Sequence, residues 1–267
     1  MSSFRIIHPT SEQVPILLSI PHCGVLFPDE LKREFKSEKI NQPDDTDWFV
    51  DRLYDFAPAM GITIIQAVYS RWVIDLNRDP DSKPLYTDGR IITDLCPVTD
   101  FLGNPIYSDE RKALSKDDRS GRIEKYFQPY HHQVQTLLVT IKEKFGKVLL
   151  WDCHSIRQQV LTIQKEKFPD LILGDADGTS ASPGIIEAAL SKLDHSDFSV
   201  RHNFPFKGGY ITRHYGKPAE NIHALQLEMT KVNYMHDDEL TYHKERAEKI
   251  RSLLKIVFGA LTGILKQ

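Results

Sequence analysis

Two histidines stand just past short apolar runs, His22 in ILLSIPHCG and His154 in VLLWDCHS. In an open α/β sheet, functional side chains gather where strands end at their carboxyl edge. Two imidazoles brought there from separate strands suit zinc. That ion accepts imidazole nitrogen and carboxylate oxygen, and a catalytic site keeps one position for water. Other divalent metals are possible. The missing ligand is expected to be a carboxylate. Asp44, Asp45 and Asp47 lie together ahead of a helical pattern that begins near Trp48. At least one of them is then an N-cap or helix-dipole partner instead. We assign Asp47 as the ligand, with Asp45 left open as the alternative. Asp152 is placed either to orient the His154 ring or to make a structural hydrogen bond.

Glu228 lies between Leu227 and Met229 in the run LQLEM. A carboxylate in an apolar strand is costly unless it is paired or used. Beside a metal it can act as general base toward water; otherwise it is a rim residue facing solvent. Arg71, Asn77 and Arg78 share the run SRWVIDLNRDP. Arginine grips a carboxylate through parallel hydrogen bonds and a nearby Asn adds a donor, so this set suits an acidic substrate. At least one of the arginines is expected to pair with Asp75 or Asp79. The run NFPFKGGYITRHYG carries Gly208 and Gly209, which permit a close backbone approach or a tight turn. It lacks the spacing of a phosphate loop.

Cys23 and Cys153 each neighbour a proposed histidine ligand, so a cysteine amidase is a rival reading. Neighbours on a strand face opposite ways, however, and the cysteines then belong to the core. His131 and His132 have no ligand-type residue at i+4 and read as surface or packing residues.

Elements must position these groups. The apolar runs Ile16–Ile20, Ile62–Val68, Trp72–Leu76, Val148–Asp152, Leu171–Leu173 and Ile222–Glu228 read as buried strands. Helical patterns follow Asp47 and span about Ile123–Phe145, with Pro129 a possible kink. Others span about Pro183–Leu193 and Asp238–Leu265. This alternation predicts an α/β fold in one domain, 1–267, with a mixed, largely parallel central sheet flanked by helices. Residues 79–118 are rich in Asp, Pro, Thr and Gly; we read them as an excursion bordering the site or as a surface insertion.

Composition narrows the function classes. The chain has 267 residues, 40% hydrophobic and 27% charged, with net charge -3. Such a chain is globular and offers no basic stripe for nucleic acid. Its 3 cysteines suit no disulfide framework. No run reaches the ~18 apolar residues of a membrane span. The start MSSFRIIHPTSEQ does not read as a signal peptide, so the cytoplasm is the expected compartment.

Taken together, the runs SIPHCG, DTDWFVDRLYDF, SRWVIDLNRDP, DCHS, DLILGD, NFPFKGGYITRHYG and LQLEM resemble the N-formylglutamate amidohydrolase family. That resemblance implies a zinc-carboxypeptidase-like α/β hydrolase fold. It implies hydrolysis of N-formyl-L-glutamate to formate and L-glutamate in histidine degradation. Carried over by motif, His22 and His154 become zinc ligands, Asn77 and Arg78 bind carboxylate, and Glu228 is the base. Tyr210 and Arg213 become substrate contacts. Apart from the resemblance, Arg71 is expected to stabilise the oxyanion as a fixed charge. More distant relatives carry HxxE at the first ligand pair, whereas Val25 stands at that glutamate's place here, so the third ligand must come from elsewhere. The expected partner is a small N-acyl amino acid. The rivals are another acyl group or amino acid, and a metal- or carboxylate-binding protein without turnover.

Overall fold

The computed structural model describes all residues except 1, 43, 82, 84, 86–93 and 110–113. A seven-stranded sheet runs in the order β1-β3-β2-β4-β7-β5-β6. Its strands are β1 (Phe4–Ile7), β2 (Ile16–Ile20), β3 (Thr63–Ala67), β4 (Val148–Ile156), β5 (Leu171–Gly174), β6 (Val200–His202) and β7 (Ile222–Thr230). The central strands β3, β2, β4 and β7 are parallel to their neighbours in that group. β1 joins β3 antiparallel and β5 joins β7 antiparallel. The sheet is therefore mixed, as expected.

The two faces of the sheet follow from alternation along each strand. Leu149, Trp151 and Cys153 of β4 and Leu225, Leu227 and Met229 of β7 enter one core layer. That layer is closed by helices α2 (Pro183–Asp194) and α4 (Lys244–Leu265), with Trp151 edge-on to Phe258 at 5.3 Å. Val148, Leu150, Ile222 and Ala224 enter the other layer under helix α1 (Gln128–Phe145). On that second face the apolar residues give way to polar ones toward the strand ends: Ser19, Asp152, His154, Gln226 and Glu228. These side chains share one face because they share parity with its apolar residues.

Three sequence expectations change. Trp72–Leu76 is buried but is no strand. Its backbone turns, with Val73 N–H donating to Ser70 and Asp75 N–H to Leu95. Burial alone gives a strand and a covered turn the same apolar signature. The helix after Asp47 is reduced to the turn Val50–Leu53 and a 3-10 turn Ala57–Met60. Ahead of α1 lies a π-helical turn, Ile123–Phe127. Pro129 lacks the N–H for a bond to i−4, and this wider turn takes the place of a sharp kink.

Candidate active site

His22 follows β2 and His154 lies near the end of β4, so parallel pairing of those strands brings the rings together, with centroids 4.9 Å apart. Asp47 reaches them from the loop before Val50, anchored by its N–H to the His22 carbonyl at 3.0 Å. The three are buried, at 2%, 1% and 3% exposure for His22, Asp47 and His154. One ligand-type atom from each lies within 4.8 Å of the others, a group that could hold a metal ion. The donors converge on Asp47 Oδ2: His154 Nδ1 is 3.2 Å away and His22 Nδ1 3.8 Å.

The opposite nitrogens are held from behind. His22 Nε2 lies 2.7 Å from Asp75 Oδ1, and His154 Nε2 lies 2.8 Å from Asp152 Oδ2. His22 Nε2 therefore donates to Asp75, and its Nδ1 lone pair faces inward. Carboxylates behind metal-ligating histidines do this work in general. Burial would lower the pKa of His154, but Asp152 and Asp47 on its two nitrogens raise it well above the ordinary imidazole value, so a metal at its Nδ1 would take the place of a proton. The fit to a metal has a direct mark: His22 Nδ1 is buried and, among the described residues, has no hydrogen-bond partner. Burial, then the charge of Arg71, lowers the pKa of His22 and so favours its neutral form. Burial would raise Asp47, but the hydrogen bond with His154 and the charge of that ring hold it below the usual carboxylate range. Asp45 points elsewhere, accepting from the Trp72 indole at 2.8 Å and from Phe101 N–H at 3.1 Å. It secures the loop rather than facing the histidines.

A cavity opens above this group. Its wall includes Arg71, Asn77, Arg78, Gln226 and Glu228, together with apolar Phe101, Ile163 and Phe206. Glu228 sits across from His154 in the β4–β7 register. Burial lifts its carboxyl to about 8, partly offset by the charge of His154. Arg71 is clamped on Asp75 at 2.5 Å and lies over the Phe101 ring at 4.7 Å. Arg78 approaches the same carboxylate at 3.7 Å. The expected pairing of an arginine with Asp75 is thus present. The second role of Asp75, holding His22, was not foreseen, because it depends on the 70–78 turn folding back over the sheet.

Asn77 lines the cavity, and its amide ties the site's parts together. Nδ2 lies 3.2 Å from Asp152 and Oδ1 accepts from Ile211 N–H at 2.7 Å. Tyr210 and Arg213, expected at the substrate, begin and share the short helix α3 (Tyr210–Tyr215) and line an adjoining cleft with Asp79, Lys83 and His214. Leu85 borders both hollows. The 79–118 excursion therefore does border the site through Leu85, Asp100 and Phe101; residues 82, 84, 86–93 and 110–113 of it lie outside the described residues. Cys153 is buried in the opposite layer and Cys23 packs against it, with burial pushing both thiols well above their ordinary range. Neither is an activated nucleophile.

Fold and site define a class, an α/β hydrolase with its polar centre at the carboxyl ends of parallel strands. Comparison with known proteins is more specific. Residues 14–235 match the family model for N-formylglutamate amidohydrolase. The chain is 40% identical over 251 residues to the N-formylglutamate deformylase of Pseudomonas putida, covering 93% of this chain and 92% of that one. It is 38% identical over 253 residues to the enzyme of the same name from Pseudomonas aeruginosa, covering 93% of each. The crystal structure of an N-formylglutamate amidohydrolase from Ralstonia eutropha superposes with a TM-score of 0.82 at 26% identity, covering 98% of both chains. The chain belongs to the N-formylglutamate amidohydrolase family. Among the described residues no helix is long and apolar enough to cross a membrane.

Proposed function

We propose that the chain hydrolyses N-formyl-L-glutamate to formate and L-glutamate, with one divalent ion, zinc foremost, held by His22, Asp47 and His154. The observation that carries the metal is the orphaned, buried His22 Nδ1 aimed at the Asp47–His154 pair. Support for the substrate comes from the names of the relatives. A divalent ion at such a donor set supplies Lewis acidity, which acidifies water and draws charge from a carbonyl oxygen.

The chain's own residues do the rest. Glu228 takes the proton from the attacking water and returns it to the leaving amine. Its raised pKa suits both halves of that exchange, because positive charge placed nearby lowers it toward the working pH. Asp75 and Asp152 keep the imidazoles turned inward. Arg71, fixed by Asp75, presents positive charge where the oxyanion develops. Arg78 takes a substrate carboxylate, and Asn77 holds the floor of the cavity. Tyr210 and Arg213 flank the approach through the adjoining cleft. Phe101, Ile163 and Phe206 accommodate the methylenes of the substrate.

A panel of N-formyl and N-acetyl amino acids tests the reading, with formate or acetate release as readout. N-formyl-L-glutamate is expected to have the highest kcat/KM. A neutral formyl amino acid turned over as well would contradict the acidic-substrate assignment, since a site built for a carboxylate rejects an analogue that lacks it.

A further inference from the structure

We infer that Gln226 contacts the substrate, its carboxamide N–H donating to a carboxylate oxygen of the bound acyl amino acid and so contributing to specificity. This rests on the hydrolytic reading above. β7 presents Gln226 and Glu228 on one face, and Gln226 pairs in register with Asp152 as Glu228 does with His154. Two residues at ~3.3 Å each set Gln226 about 6.6 Å back along the strand from the proposed base. That is one substrate fragment away from the reacting centre.

The side chain is nearly buried, at 4% exposure, yet it lines the cavity. Its orientation is set from the backbone, because Oε1 accepts the Gly209 N–H at 2.8 Å. The Nε2 end is thereby left to the cavity, and among the described residues it donates to none. The amide N–H thus reaches the cavity as a donor fixed in direction, ready for an acceptor on a bound ligand in place of water. The neighbouring donors are committed: Asn77 spans Asp152 and Ile211, and Arg71 is clamped on Asp75. Gln226 adds a donor without adding positive charge beside the histidine centre.

The test uses the metal-loaded full chain and the variants Gln226→Leu and Gln226→Glu. The first removes both the donor and the acceptor that holds Gly209. The second keeps the shape and an acceptor for Gly209 but faces the substrate with a carboxylate. Loss of a hydrogen bond to a charged group predicts a KM for N-formyl-L-glutamate raised about tenfold or more in Q226L. A larger rise is expected in Q226E, with kcat within about threefold of wild type and metal content unchanged. Calorimetric binding of L-glutamate should weaken in parallel. Unchanged KM and unchanged L-glutamate affinity in either folded variant would overturn the inference. So would a fall in kcat at constant KM, which would assign Gln226 to holding Gly209 alone. If wild type releases no formate, the functional reading fails. L-glutamate binding still decides Gln226: equal affinity in all three proteins, or none in wild type, overturns the contact.

Discussion

At the scale of single residues, the site sets its carboxylates to different duties. Glu228 faces the cavity, and burial raises its pKa to about 8; Asp75 is held well below its ordinary range, as Arg71, Arg78 and His22 overcome the effect of burial. These two environments suit the proton carrier and the fixed anion of the proposed mechanism. Glu228→Gln should cut kcat by about 10²–10⁴-fold, the usual worth of a general base, while metal content by elemental analysis stays at the wild-type level. Lost metal in that variant would make Glu228 a ligand instead. Asp75→Asn should weaken metal affinity about 10–100-fold, as removal of a partner behind a ligating histidine does. Competition with a chromogenic chelator measures this, and unchanged affinity would leave Asp75 as a clamp for Arg71 only.

At the scale of elements, the site is an assembly of strand ends, one covering turn and one short helix. Gly209 lies just before α3, and an added Cβ would meet Asn77 Nδ2 at 2.3 Å. Gly209→Ala must therefore move the Asn77 amide away from Asp152 and Ile211. An activity loss of about 10²-fold is expected, because small misplacements cost that much; wild-type kcat/KM in this variant would show that Asn77 has room to shift. Helix α1 is tied to the same turn by His131. Its Nε2 donates to the Leu76 carbonyl at 2.9 Å, and Nδ1 lies 2.9 Å from the Tyr215 hydroxyl. Burial drops the pKa of His131 to about 3. The unfolded chain protonates this histidine near 6.5 while the folded one refuses the proton, so stability is intact above pH 6.5 and is lost as pH falls toward 3. By pH 5 the loss is about 2 kcal/mol. Urea unfolding of wild type and His131→Asn at pH 7.5 and 5 should show a pH slope shallower by about that amount in the variant. Identical slopes would mean that His131 titrates normally.

At the scale of the whole molecule, the parallel strands read correctly because each is a continuous apolar run ending in polar residues, as VLLWDCHSI shows. Parity along those strands also separated His154 from Cys153. What stayed hidden was non-local. The edge strands β1 and β6 are short and half exposed, so they lack a burial signature. The 70–78 run looked like a strand because it is equally buried, and the hold of Asp75 on His22 arises only from the way that run turns. The choice between Asp45 and Asp47 likewise depended on which carboxylate the Trp72 indole takes. In the proposed mechanism the folded chain gathers three distant ligands into a centre on which hydrolysis depends. The most direct measurement is formate release from N-formyl-L-glutamate by purified protein, before and after verified metal removal by a strong chelator, then with zinc restored. Activity is expected to be lost on removal and regained with zinc, at about one ion per chain. Full activity in protein shown to be metal-free would contradict it.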